Sequence, residues 1–237
     1  MLENILNYER DLFLLLNSYH SPFLDLFMWL FSGKIAWAPV SVLFVVILSY
    51  KNKLRWKEIV IVFVAIALVI TMCDQFASGF CKPFFERFRP THHPDFMNEV
   101  NTVFDYRGGR YGFISSHAAN AFGFATLTSL IFRNKFYSIM ILTWATINSY
   151  SRIYLGVHFI SDIVAGMIVG ILFGWIVYKL AVRIHLRFTY HPQKRVFLSL
   201  FPCEGIGIIA FALILTIAVL AIISTLYSLN IIPEIAT

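Results

Sequence analysis

Arg152, His158 and Asp162 fall in one short stretch, Ser151-Arg152-Ile153-Tyr154-Leu155-Gly156-Val157-His158-Phe159-Ile160-Ser161-Asp162. Four residues make about one helical turn, so the spacing predicts His158 and Asp162 on one helix face. A carboxylate against an imidazole fixes its tautomer and stabilises its positive form. Arg152 adds a planar cation able to fork onto phosphate oxygens. All three sit among apolar residues, where charge is expensive.

Two further polar clusters bracket a hydrophilic segment. One runs from Lys82 through Phe88 to Arg89-Pro90; the other is Ile114-Ser115-Ser116-His117. Helices are expected to begin near Ser115 and Phe159. Their N-termini offer free backbone N–H groups and partial positive charge, an anion site. Three cations, two histidines, a serine and a carboxylate converging there suit a phosphate ester with two or more negative charges.

In order and spacing these clusters resemble the type 2 phosphatidic acid phosphatase superfamily, which also contains vanadium haloperoxidases. Lys82 and Arg89-Pro90, six residues between, match the first family motif. Ser151-Arg152, His158 and Asp162 match the third. The second motif, Pro-Ser-Gly-His, stands here as Ile114-Ser115-Ser116-His117, with proline and glycine replaced. Glycine lets a backbone N–H approach an anion closely; Ser116 instead brings a hydroxyl donor.

The resemblance implies a role for each residue. His158 is the nucleophile, neutral when it attacks phosphorus. Asp162 holds its other ring nitrogen and stabilises the imidazolium of a phosphohistidine. His117 protonates the leaving alkoxide and then acts as base on water. Lys82, Arg89 and Arg152 bind the equatorial oxygens as charge spreads. Ser115 donates a hydroxyl or a backbone N–H, and Ser116 completes the phosphate-binding set. No cofactor or metal is implied. Opposite protonation states for the two histidines give a bell-shaped pH profile.

The elements that position these groups follow from hydropathy. Of 237 residues, 59% are hydrophobic and only 14% charged, against roughly 25% charged in soluble domains. The expected fold is all-α, a single polytopic membrane domain over residues 1–237. Six apolar stretches approach the roughly 20 residues a span needs: about 24–49, 58–80, 115–132, 136–154, 159–182 and 205–229. Residues 5–19 are too short and mixed, and read as an interfacial helix. No cleavable signal peptide is expected, since Met1 to Arg10 lacks a basic start and an apolar core.

Positive charge orients the spans. The loops after spans one, three and five carry Lys51, Lys53, Arg55 and Lys57; Arg133 and Lys135; and Lys179, Arg183, Arg187, Lys194 and Arg195. These loops are expected in the cytoplasm, with both termini, the 81–113 segment and the 152–158 turn outside. The net charge of +6 thus reflects topology, and nucleic acid is not an expected partner. Cys73, Cys81 and Cys203 lack metal-ligand spacing and read as apolar fillers.

Other residues have plainer readings. His20, His185 and His191 are expected as solvated or core histidines. His92-His93 could bind metal, but no third ligand has suitable spacing. Arg87 reads as a solvated loop charge. Arg107 and Arg110 flank Gly108-Gly109, a turn where headgroup contact is conceivable. Asp74 and Gln75 are expected to hydrogen-bond between helices, and Asn120 and Asn148 to support the site. Gly166, Gly170 and Gly174, at steps of four, predict close helix packing.

The expected activity is hydrolysis of a lipid phosphomonoester or diphosphate by an integral membrane phosphatase. Lipid A 4'-phosphate and undecaprenyl diphosphate lead, ahead of phosphatidylglycerophosphate and phosphatidate. A bacterial inner membrane, with the site facing the periplasm, suits such a substrate. One alternative is a phosphotransferase using the same phosphohistidine. The other is a non-catalytic anion-binding or transport protein, which would need broken spans at mid-membrane.

Overall fold

A computed structural model describes residues 2–51, 56–189 and 205–232. Lys53, Arg55, His191, Lys194, Arg195 and Cys203 lie outside the described residues. The architecture among those described is all-helical: α1 (Leu2–Asn17), α2 (Pro22–Ser32), α3 (Ala38–Val46), α4 (Trp56–Asp74), the short α5 (Lys82–Phe85), α6 (Ser116–Phe132), α7 (Lys135–Tyr154), α8 (Ile160–Thr189) and α9 (Ile206–Ser228).

The first expected span, 24–49, is not one helix. Pro22–Ser32 and Ile35–Ser49 meet at a 69° bend. Gly33 is extended there, at φ −74 and ψ 141, and Pro39 enters α3 within its first two positions, where its missing N–H costs nothing. The break frees the carbonyl of Phe31. It accepts from Trp37 Nε1 at 2.8 Å and from Asn148 Nδ2 at 3.3 Å. Asn148 therefore supports the break and, through it, Ser32.

The second span runs further than expected. A π-helical segment, Gln75–Cys81, joins α4 to α5, and the apolar helix Trp56–Phe85 is 30 residues long. Lys82 thus sits on the helix, not in the loop after it. Glu86 ends the helix in a left-handed conformation, at φ 45. Asp74 was expected to bond between helices; instead it accepts from Ser78 Oγ of its own helix at 3.5 Å.

By length and composition, Trp56–Phe85, Ile160–Arg187 and Ile206–Ser228 could each cross a membrane. The bent pair Pro22–Ser49 makes a fourth if it crosses as one span. Their outward faces carry exposed Val60, Val64, Ile168, Leu172, Phe211 and Leu215, a surface suited to lipid. α6 is short at 17 residues, and α7 carries Thr143, Thr146, Asn148, Ser149, Ser151 and Arg152.

α6 is the central helix, with Ala118, Ala119, Ala125, Leu127 and Ile131 buried. It packs closely on α8, as the glycine steps predict. A Cβ on Gly166 would lie 2.6 Å from the Ser115 carbonyl oxygen, and one on Gly174 2.8 Å from that of Gly123. Backbone meets backbone here, so the N-terminus of α6 and the start of α8 are held in one register.

α1 packs one face on the bundle and leaves Tyr8 and Leu15 exposed on the other. Phe13 is fully buried in a cluster with Phe96, Ile153 and Phe159. Asn17 Nδ2 donates to the carbonyls of Tyr154 at 2.8 Å and Asn101 at 3.1 Å, and Asn17 Oδ1 accepts from Asn101 N at 2.8 Å. These bonds fasten α1 to the end of α7 and to the polar segment.

Candidate active site

The chain turns between α7 and α8 at Gly156, at φ 74. A side chain there would meet Val100 and the Asn101 carbonyl within 3 Å. The turn places His158 two residues before α8, so His158 and Asp162 are not stacked on one helix face as the four-residue spacing predicts. They still meet: His158 Nδ1 lies 3.3 Å from Asp162 Oδ2. Asp162 Oδ2 also accepts from Phe159 N at 3.0 Å. The carboxylate, in the first turn of α8, thus holds the loop before its own helix.

Both side chains are fully buried. His158 Nε2 has no hydrogen-bond partner among the described residues. Burial, then the charges of Arg89, Arg152 and Lys82, push the His158 pKa well down. The ring is therefore neutral at physiological pH, with one nitrogen engaged and the other free to act as a nucleophile.

Three cations lie within electrostatic reach of this ring. Arg89 is buried; its Nε donates to the Tyr111 carbonyl at 3.1 Å and its Nη1 to that of Val157 at 3.3 Å. Burial, then the neighbouring Arg152, lower its pKa. Arg152 is also buried. Its Nη1 bonds Ser32 Oγ at the α2 break, and its Nη2 donates to Tyr106 OH at 3.1 Å. Lys82 Nζ donates to Ser78 Oγ at 3.0 Å and Ser116 Oγ at 3.4 Å. Every one of these acceptors is neutral. Among the described residues, none of the three cations makes an ion pair.

The second cluster sits at the start of α6. Ser115 caps the helix: its Oγ accepts from Ala118 N at 3.4 Å, and its own N–H donates to the Asp162 carbonyl at 3.0 Å. That N–H is therefore committed to the α6–α8 junction, and only the hydroxyl hydrogen remains to donate. Ser116, where the resemblance expects glycine, receives the Lys82 ammonium on its hydroxyl. His117, half-buried in the first turn, lies within electrostatic reach of His158, Arg152 and Arg89.

Several contributors escape a reading of the sequence. Arg87 is not a solvated charge. Its Nη1 donates to Asp162 Oδ1 at 2.9 Å and its Nη2 to Glu9 Oε2 at 2.8 Å. Gly112 lies against the pair, where a Cβ would come within 3.0 Å of Asp162 Oδ2 and 3.6 Å of His158 Nδ1. Tyr106 and Ser32 hold Arg152. Nothing local in the sequence distinguishes these residues, because their partners lie many tens of positions away.

Other expectations resolve simply. His92 Nδ1 meets Thr91 Oγ1 at 3.2 Å, while the His93 ring stacks on Phe96 at 4.4 Å. Each is engaged by its own neighbours. Asn120 Oδ1 is buried without a partner among the described residues, so the expected support from it is not seen. Arg110 is exposed and lies over the Phe88 ring at 5.0 Å.

A family model described as PAP2 superfamily matches residues 59–186, a range that holds all eight residues expected at the site. The chain is 50% identical over 178 residues to a lipid A 4'-phosphatase of Porphyromonas gingivalis, covering 75% of each protein. It is 40% identical over 190 residues to a lipid A 4'-phosphatase of Bacteroides thetaiotaomicron, covering 79% of this chain and 83% of that one. The crystal structure of Aquifex aeolicus LpxE superposes with a TM-score of 0.54 at 28% identity, covering 71% of this chain and 93% of the other.

Proposed function

The chain belongs to the PAP2 superfamily and is a membrane lipid phosphatase, and we propose that its substrate is lipid A, from which it removes the 4'-phosphate. The relatives that share half and two fifths of its aligned residues carry that activity in their names. The observation that carries the chemistry is that the buried Arg89 and Arg152 and the part-buried Lys82 act on His158 while making no ion pair among the described residues. Buried charge without a counter-ion is unfavourable, and a phosphate monoester supplies the missing negative charge.

His158 Nε2 attacks phosphorus in line with the ester oxygen. The N–P bond forms as the P–O bond to the lipid breaks, and His117 gives its proton to the departing sugar alkoxide. Lys82, Arg89 and Arg152 hold the three peripheral oxygens, where charge accumulates. The hydroxyls of Ser115 and Ser116 add neutral donors. Asp162 stabilises the imidazolium while phosphorus is attached. Water then gives a proton to His117 and attacks phosphorus; the N–P bond breaks, releasing phosphate and neutral His158.

Six spans, with α1 along the interface, fit this substrate. The site residues come from α5 and the segment after it, the end of α7, the start of α6 and the turn into α8, which suits a site at one end of the bundle. With the basic loops in the cytoplasm, that end faces the periplasm of an inner membrane. A headgroup can reach the cations there while its acyl chains stay in lipid.

The test is phosphate release by detergent-purified protein from 4'-phosphorylated lipid A, undecaprenyl diphosphate, phosphatidylglycerophosphate and phosphatidate, with His158→Ala as control. The reading expects lipid A to be the preferred substrate and the variant to be inert. Preference for another lipid overturns the substrate; full activity of His158→Ala overturns the site.

A further inference from the structure

We infer that Glu9 and Arg87 are positioning residues for the nucleophile's carboxylate, and that α1 is thereby part of the working enzyme. The inference rests on the phosphohistidine reading above. Arg87 lies inside the first cluster but is not one of its motif residues, and Glu9 precedes the range matched by the family model.

The geometry is a closed relay. Arg87 Nη1 donates to Asp162 Oδ1 at 2.9 Å and to Ser161 Oγ at 2.5 Å. Its Nη2 donates to Glu9 Oε2 at 2.8 Å, and Glu9 Oε1 accepts from Ser161 N at 2.8 Å. Glu9 therefore does two things. It anchors the guanidinium, and it takes up a free N–H in the first turn of α8. The guanidinium also lies over the Phe159 ring at 4.4 Å from its centre, which fixes the plane of the fork.

Asp162 needs such a partner. Its side chain is fully buried. The charged or titratable groups facing it are His158 and Arg87, with Arg89 and Lys82 behind them. Arg89 and Lys82 make their hydrogen bonds elsewhere and are wanted by the substrate. Arg87 is the cation that touches the carboxylate. Its two-pronged bonding to Asp162 and Glu9 leaves Asp162 Oδ2 to His158 and Phe159. Arg87 and Arg89, two residues apart, thus have opposite duties: one neutralises an acid of the protein, the other awaits an anion.

Without Arg87, the buried carboxylate would favour its proton. A protonated Asp162 cannot stabilise an imidazolium, so activity would fail as pH drops through a higher value. Lysine supplies charge but not the fork, and cannot reach Asp162 and Glu9 in parallel.

The experiment measures kcat and KM against pH for detergent-purified wild type, Arg87→Met, Arg87→Lys, Glu9→Gln and the Glu9→Gln/Arg87→Met double variant. Folded protein is counted by gel filtration. Arg87→Met is expected to lower kcat by about 100-fold through misplacement of the nucleophile, with KM nearly unchanged. Its acid limb should move up by roughly 1 to 3 pH units. Arg87→Lys should restore the limb but only part of kcat. Glu9→Gln should lower kcat less, and should add nothing in the Arg87→Met background. An unmoved acid limb in folded Arg87→Met, or additive losses in the double variant, overturns the inference. Asp162→Asn separates the two levels: if it stays fully active, the phosphohistidine reading itself fails.

Discussion

His158 presents Nδ1 to Asp162 Oδ2 at 3.3 Å, and its Nε2 is buried without a partner among the described residues. One bond settles which nitrogen is free. In Asp162→Asn the amide can present its N–H₂ to Nδ1, which favours the wrong tautomer. We expect kcat to fall by about 10⁴-fold with KM little changed, the scale seen when a histidine loses its orienting carboxylate. Steady-state kinetics on lipid A phosphate check this.

Arg152 is held by Ser32 and Tyr106, both neutral. Replacing Arg152 by lysine keeps the charge but loses the planar fork. Both Arg152→Lys and Arg152→Gln are expected to lose roughly 10²- to 10³-fold in kcat, the usual cost of one transition-state donor. If Arg152→Lys is fully active, the fork is not used on phosphate.

The unpaired cations should also bind the product. Inorganic phosphate at about 100 times its Kd would stabilise the fold by about 2.7 kcal/mol, read as a rise in melting temperature in detergent. The rise should shrink in Arg89→Gln and in Arg152→Gln. Chloride at the same ionic strength should not reproduce it.

Burial and the three neighbouring cations hold the His158 pKa well below its ordinary 6.5. Below about pH 6.5 an unfolded chain takes up a proton that folded His158 refuses. Stability is therefore full above that pH and declines as pH falls toward the lowered value. Melting temperature against pH should show this decline, and His158→Gln should remove part of it.

Gly166 and Gly174 place backbone of α8 against α6. A side chain at either position must push the helices apart, and overpacking costs roughly 1–3 kcal/mol. Gly166→Leu lies beside the Ser115 cap and is expected to lower both stability and kcat. Gly174→Leu, two turns further down, should lower stability more than kcat. Melting curves and kinetics distinguish the two.

The candidate set Lys82, Arg89, Ser115, Ser116, His117, Arg152, His158 and Asp162 could be picked from the sequence because residue types and order suggest one chemistry. The helices that hold them were legible because apolar runs and glycine steps are local signals. Tertiary relationships were not. The four-residue spacing suggested one helix face for His158 and Asp162, yet the turn at Gly156 delivers His158 from a loop. Arg87 looks like any loop arginine until folding brings Glu9 to it from the first helix. The α2–α3 break was missed because the stretch is apolar on average, although Ser32-Gly33-Lys34 interrupt it and Gly33 and Pro39 stand at the bend.

The central claim is that phosphorus passes through His158. Detergent-purified enzyme should be mixed with lipid A carrying a radiolabelled 4'-phosphate, quenched in alkali within milliseconds, and digested for peptide mapping. We expect a transient label, stable in alkali and lost in acid, on the peptide containing His158 and absent in His158→Ala. Normal turnover with no label on that peptide, or with the label on another residue, would contradict the account.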